Sequence, residues 1–92
     1  MAGLLGNPLG RKGVIDDLNQ RPITGVFTYS LDLTKNIPDS IYGYGIALIF
    51  SSTDFSCMVL IPHVFNQSNK ILIRLYYNSS WLEWFSIALN GV

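Results

Sequence analysis

The sequence predicts an all-β fold: a small antiparallel β-sheet or sandwich knob of about five strands, with an extended N-terminal lead-in. Three observations carry that prediction. Short apolar runs of strand length alternate with turn-forming residues along most of the chain. No helix-length amphipathic pattern stands between them. Residues 71–89 read as an apolar strand, an Asn78-Ser79-Ser80 turn and a second strand opened by two tryptophans, Trp81 and Trp84.

Taken in order, residues 1–15 form the lead-in or stalk. They hold Gly3, Gly6, Gly10, Gly13 and Pro8, at spacings that break the strict triplet a collagen helix needs. Leu4, Leu5 and Leu9 are out of place in a solvated linker and point to packing against a neighbouring chain. Residues 16–92 form the knob domain. The stretch 14–20 has room for one helical turn. Pro22 and Gly25 frame the first turn, and residues 26–30 alternate bulky and polar side chains. Residues 36–40 are a loop in which Pro38 keeps Ile37 out of helical geometry.

Residues 44–50 are a strand, too short and too rich in β-formers for a helix, and 51–54 turn the chain into the next strand, 56–61. Pro62, with no N–H to give a ladder, ends it. A loop over 62–70 leads to strands at 71–77 and 84–89. Short connections between such strands predict a meander of hairpins.

A period of two assigns Ile71, Ile73, Leu75 and Tyr77 to the core face of the fourth of these strands, and Leu72, Arg74 and Tyr76 to a mixed face. Arg74 is then expected at a subunit contact, or with its stem packed and its head in water. Trp81 and Trp84, an odd number of residues apart, are expected on opposite faces, one in the core and one at an edge or interface.

Composition bounds the function. Of 92 residues, 49% are hydrophobic and only 13% charged, about half the ~25% of an ordinary soluble domain. A domain this small cannot bury all of that surface alone, so another copy of the chain or another protein is expected to cover part of it. Six basic and six acidic residues balance, which argues against nucleic acid and against a polybasic membrane anchor. No apolar run reaches bilayer-spanning length, and the N-terminus makes a poor signal peptide. A single cysteine, Cys57, excludes an internal disulfide and reads as a small buried hydrophobe.

The order of short motifs resembles the knob-like domain of bacteriophage tail fibres and pyocin-type fibres. The elements are Asp17-Leu18-Asn19, then Thr24-Gly25 before an aromatic strand, Asn36-Ile37-Pro38, and Gly43-Tyr44-Gly45 leading an apolar strand. They continue with Ile71-Leu72-Ile73-Arg74 and close on Trp81-Leu82-Glu83-Trp84. The likeness covers residues 16–89. Two departures are the almost wholly apolar 57–61 strand and the short Asn78-Ser79-Ser80 turn, both consistent with tight subunit packing. The resemblance implies a fibre-borne β domain in the virion, a homo-oligomer and foremost a trimer, assembled in the bacterial cytoplasm and taking part in host-surface recognition or in fibre assembly. It implies no enzymatic activity and no cofactor.

Candidate chemistry is sparse. His63 and Asp54 could be written into a triad with a serine, but no nucleophile motif accompanies them. One histidine and one cysteine do not make a metal site, although three His63 rings could meet on a trimer axis. Asn66-Gln67-Ser68 and Asn78-Ser79-Ser80 match a glycosylation sequon and read as turns. No helix follows Gly43 and Gly45, so they do not form a nucleotide loop. What remains is a loop surface of aromatic and amide groups: Tyr42, Tyr44, Phe65, Asn66, Gln67, Tyr76, Tyr77, Asn78 and Trp81, with Phe55 and Asn69 nearby. Such groups hold polyhydroxylated ligands or protein epitopes; equally, tyrosines cover sheet edges and amides make turns.

The expected function is therefore a tail-fibre or fibre-tip module contributing to recognition of a host cell-surface polysaccharide or protein, alongside other virion tail proteins. The rival is a structural connector of a fibre without receptor contact.

Overall fold

The computed structural model describes residues 10–41, 43–63 and 69–92. The predicted fold class holds. Among these residues there is no helix, only a seven-stranded sheet: β1 (Arg11–Val14), β2 (Gly25–Ser30), β3 (Tyr44–Ser51), β4 (Ser56–Pro62), β5 (Lys70–Tyr77), β6 (Ser80–Trp81) and β7 (Phe85–Ala88). Strands β2 to β5 make the expected antiparallel meander, and β6 and β7 share the far edge of β5.

The sheet is mixed rather than purely antiparallel, because β1 runs parallel to β2. The later part of the predicted lead-in is thus an edge strand; residues 1–9 lie outside the described residues. A parallel pair needs a crossover between its strands. Residues 15–24 supply it without a helix, so the single helical turn expected over 14–20 is absent.

That crossover closes the core. Ile15 and Leu18 are carried onto one face of the sheet and are buried. Ile15 N–H donates to the Thr28 carbonyl, and Leu18 N–H to that of Lys35, with an isolated parallel bridge between Asp17 and Lys35. The buried Thr34 hydroxyl donates to the Ile15 carbonyl over 2.6 Å. The Asp17 carboxylate accepts from the Asn36 side-chain amide at 2.7 Å and from Asn19 N–H at 2.9 Å. The Asn36 bond first, then the Asn19 bond, holds its pKa below the usual 3.8.

Beneath this cover the inner face alternates large and small side chains. Phe27 pairs with Ala47, Ala47 with Leu60 and Leu60 with Leu72; the next row runs through Ile49, Met58 and Arg74. Gly45, opposite Tyr29, leaves the room that the tyrosine ring needs. A Cβ there would collide with the Ile61 carbonyl oxygen and lie 2.8 Å from the Tyr29 hydroxyl. That hydroxyl is buried with no hydrogen-bond partner among the described residues.

The face assignment of β5 is the reverse of the one read from periodicity. Leu72 and Arg74 are buried, whereas Leu75 and Tyr77 are exposed and Ile71 and Ile73 only half-buried. Both faces of this strand are apolar enough to be core, so period two alone had no means of choosing. The choice is made by the cover. Arg74, 5% exposed, is not at the solvent rim: its guanidinium lies 4.3 Å from the Trp81 ring centroid and 4.2 Å from that of Trp84, and donates to the Leu18 carbonyl.

Both tryptophans therefore lie on the inner side, against the expectation of opposite faces. The reason is a one-residue bulge. Trp81 opposes Tyr76, yet Phe85 opposes Ile73, one residue out of the register that β6 begins. The extra residue in the 82–84 break reverses the parity of everything after it.

None of the described residues covers the other face of the sheet. Rows such as Val26–Leu48–Val59–Ile73–Phe85 and Thr28–Ile46–Ile61 run across it. From β2 to β5 and β7 it carries no charged side chain; Arg11, paired with Val26, stands at its rim.

Candidate functional site

In an antiparallel meander alternate turns share one end of the sheet, and this sorts the candidate residues into two groups. Tyr44 begins β3 at one end, beside Pro62 and His63. Tyr76, Tyr77 and Asn78 end β5 at the other, beside the β3–β4 turn, since Ser56 opposes Tyr76. The eight residues of β3 at ~3.3 Å each separate the groups by more than ~20 Å. Tyr42, Phe65, Asn66 and Gln67 lie outside the described residues.

At the first end, Tyr44 stacks on His63 with ring centroids 4.7 Å apart and planes at 17°. Together with Thr28, Ile46, Ile61 and Pro62 they line a mainly apolar hollow of about 360 Å³. His63 and Asp54 sit at opposite ends of β4, so the triad that could be written from sequence is not assembled. No group of three His, Cys, Asp or Glu side chains suited to a metal occurs among the described residues.

At the second end, a cleft of about 410 Å³ opens between the β3–β4 turn and the β5–β6 turn, closed on a third side by Arg21 and Pro22. Tyr76, Tyr77 and Asn78 line it with Phe55, and the hydroxyls of Ser52, Thr53, Ser56 and Ser79 and the Asp54 carboxylate join them. Most of the wall is polar.

Both turns are held firmly. Ser52 donates its hydroxyl to the Phe55 carbonyl at 2.9 Å, while its Oγ accepts from the Asp54 and Phe55 N–H groups. Asn78 (φ 56°) and Ser79 (φ 68°) connect β5 to β6 as a two-residue turn with both φ positive, the type I′ geometry that fits strand twist.

Arg21 was not picked out from sequence, and Ser52, Thr53 and Asp54 were not read as part of a binding surface, Asp54 having been weighed only beside His63. The signal that finds them is strand pairing: once 44–51, 56–62 and 70–77 are set antiparallel, the 52–55 and 78–79 turns must be neighbours.

Trp81 has a different setting from Tyr76 and Tyr77. It is half-buried, one face taken by Arg74 and its edge by the Tyr76 ring at 5.0 Å and 69°. Its Nε1–H donates to the Gln20 carbonyl at 3.0 Å. It supports the cleft by fixing Tyr76 and the segment that leads to Arg21.

No family model, curated protein or solved structure matches this chain.

The geometry suits reversible holding of a polar ligand. Phe55, Tyr76 and Tyr77 offer aromatic surface, and Arg21, Asp54, Asn78 and several hydroxyl-bearing residues line the same cleft.

Proposed function

We propose that this chain is a non-enzymatic binding module of a phage tail fibre, carried in the virion as a homo-oligomer, a trimer in the first instance. In this reading the cleft between the β3–β4 and β5–β6 turns takes a polyhydroxylated ligand of the host cell surface. The single observation that carries it is the joining of Tyr76, Tyr77, Asn78, Phe55, Arg21 and Asp54 around one rigid polar cleft. The fibre setting rests on the resemblance of residues 16–89 to tail-fibre knobs. Several copies, each holding a weak site, would add to useful avidity.

The test uses the full chain. Binding to host cells and to a glycan array is compared for the unaltered protein, Arg21→Ala and Phe55→Ala. A loss of tenfold or more, about 1.4 kcal/mol per copy, with the oligomeric mass unchanged, supports the reading. Unchanged adsorption in both variants sinks it.

The second reading, a fibre connector without receptor contact, is favoured by the open apolar sheet face. It expects cell binding to be indifferent to the cleft and fibre assembly to respond to changes on that face.

A further inference from the structure

We infer that the open face of the sheet, on β2, β3, β4, β5 and β7, is the surface by which copies of this chain join, each packing this face against the same face of another. The inference gives the homo-oligomer proposed above as a face-to-face pair in place of a trimer, and stands independently of ligand binding in the cleft.

The argument begins with what is exposed. Ile46, Phe50 and Leu75 project from the middle strands, and Phe85 (62% exposed) and Ile87 (55%) from the edge strand. They lie on the face opposite the core, in register with one another, and form one surface rather than scattered spots. A soluble monomer rarely leaves so wide an apolar patch bare. Five strands at ~4.8 Å spacing and six to eight residues at ~3.3 Å make a footprint on the order of 500 Å² before side-chain relief is added. A stable pair of proteins needs about 800 Å² from each partner, so the flat footprint falls short by itself and the face reaches that size only with the relief of its projecting side chains, Ile46, Phe50, Leu75, Phe85 and Ile87.

The partner is a second copy for two reasons. The strands named carry no charge on this side, so two identical faces can meet without desolvating an unpaired ion. A partner of another kind would need some polar pattern to read, and Thr28 and Ser30 on β2 are the main polar groups there. Sheets also pack on sheets naturally, at ~10 Å, and a face that meets itself closes the assembly. In this arrangement Leu72 and Arg74 are core to the chain, and Ile71, Ile73, Leu75 and Tyr77, which the chain leaves out of its own core, become buried in the assembly.

Cys57 is a built-in reporter. It lies on this face, paired between Phe50 and Leu75, as a half-buried free thiol. The experiment measures mass by light scattering over a wide dilution series and, on the same samples, the rate of Cys57 alkylation by iodoacetamide. The expected result is twice 10.3 kDa at high concentration, with alkylation slowed at least tenfold there and restored on dilution; a trimeric mass overturns the inference. Ile46→Lys should give a folded monomer whose Cys57 reacts fast at every concentration.

A monomer at all concentrations overturns the inference, as does an oligomer in which Cys57 stays fully reactive. A monomer that coats neutral phosphatidylcholine vesicles overturns it too, and assigns the face to lipid. Where Ile46→Lys does not fold, the dilution dependence of the unaltered protein decides alone. Failure of the cleft reading shows separately, because Arg21→Ala changes adsorption without touching mass or alkylation.

Discussion

Arg74 shows how one side chain can decide which face of a strand becomes interior. Its guanidinium is pressed between Trp81 and Trp84 and gives a hydrogen bond to the Leu18 carbonyl. Burial draws its pKa down to about 10, with Asp17 acting in the other direction; it remains a cation at neutral pH. Each ring contributes about 0.5–2 kcal/mol when the cation is desolvated. Arg74→Lys keeps the charge but not the planar group that both rings cover, and a loss of about 1–3 kcal/mol in urea unfolding is expected. Tyr29 is the converse case, a buried hydroxyl without a partner among the described residues. Burial raises its pKa from 10.0 to about 12. The unfolded chain then gives up that proton first, so stability falls as pH rises from 10 to 12. Tyr29→Phe is expected to add about 1 kcal/mol at neutral pH and to remove that alkaline fall, both read from unfolding curves. Arg74 was visible in the sequence as an oddity in an apolar strand. Its burial was not, because the groups that receive it come from three separate stretches of chain.

At the scale of elements, the strands were legible and their faces were not. The four strands β2 to β5 fall where β-branched and aromatic runs lie between Pro, Gly, Ser and Asn, with ends displaced by a residue or so. The edge strand β1 was hidden because Arg11-Lys12-Gly13-Val14 has no apolar alternation; it is a strand only because β2 offers it a partner. The bulge after Trp81 was hidden for a related reason: an extra residue changes parity without changing composition. The Asn78-Ser79 turn lends itself to a direct check. Both residues hold positive φ, which suits Asn better than Ser. Ser79→Gly is expected to raise stability by about 1 kcal/mol without altering the spectrum of the folded protein; a loss of stability would show that the Ser79 side chain makes a contact that matters more than the backbone.

At the scale of the molecule, the chain has one sheet and two contrasting faces. One is closed by the crossover that a parallel β1 requires, which brings Ile15 and Leu18 over the core. The other keeps its apolar rows uncovered. The excess of hydrophobic residues read from composition is thus placed in part on a surface, and those candidate binding residues that the structure describes divide, Tyr44 at one end of the sheet and Tyr76, Tyr77 and Asn78 at the other. The cleft at one end became visible only with the register, since nothing in the order of residues brings 52–55 beside 78–79. The two proposals follow this division: assembly on the open face, ligand at the turn end.

The central claim is that neighbouring residues of β5 serve two different cores. Sedimentation equilibrium of Ile73→Lys, with Leu72→Lys alongside and far-ultraviolet circular dichroism on both, tests it most directly. The account predicts that Ile73→Lys sediments as a folded monomer of about 10.3 kDa, while Leu72→Lys loses its strand signal. An Ile73→Lys protein that keeps the mass of the unaltered oligomer, or a Leu72→Lys protein that folds while Ile73→Lys does not, would contradict it.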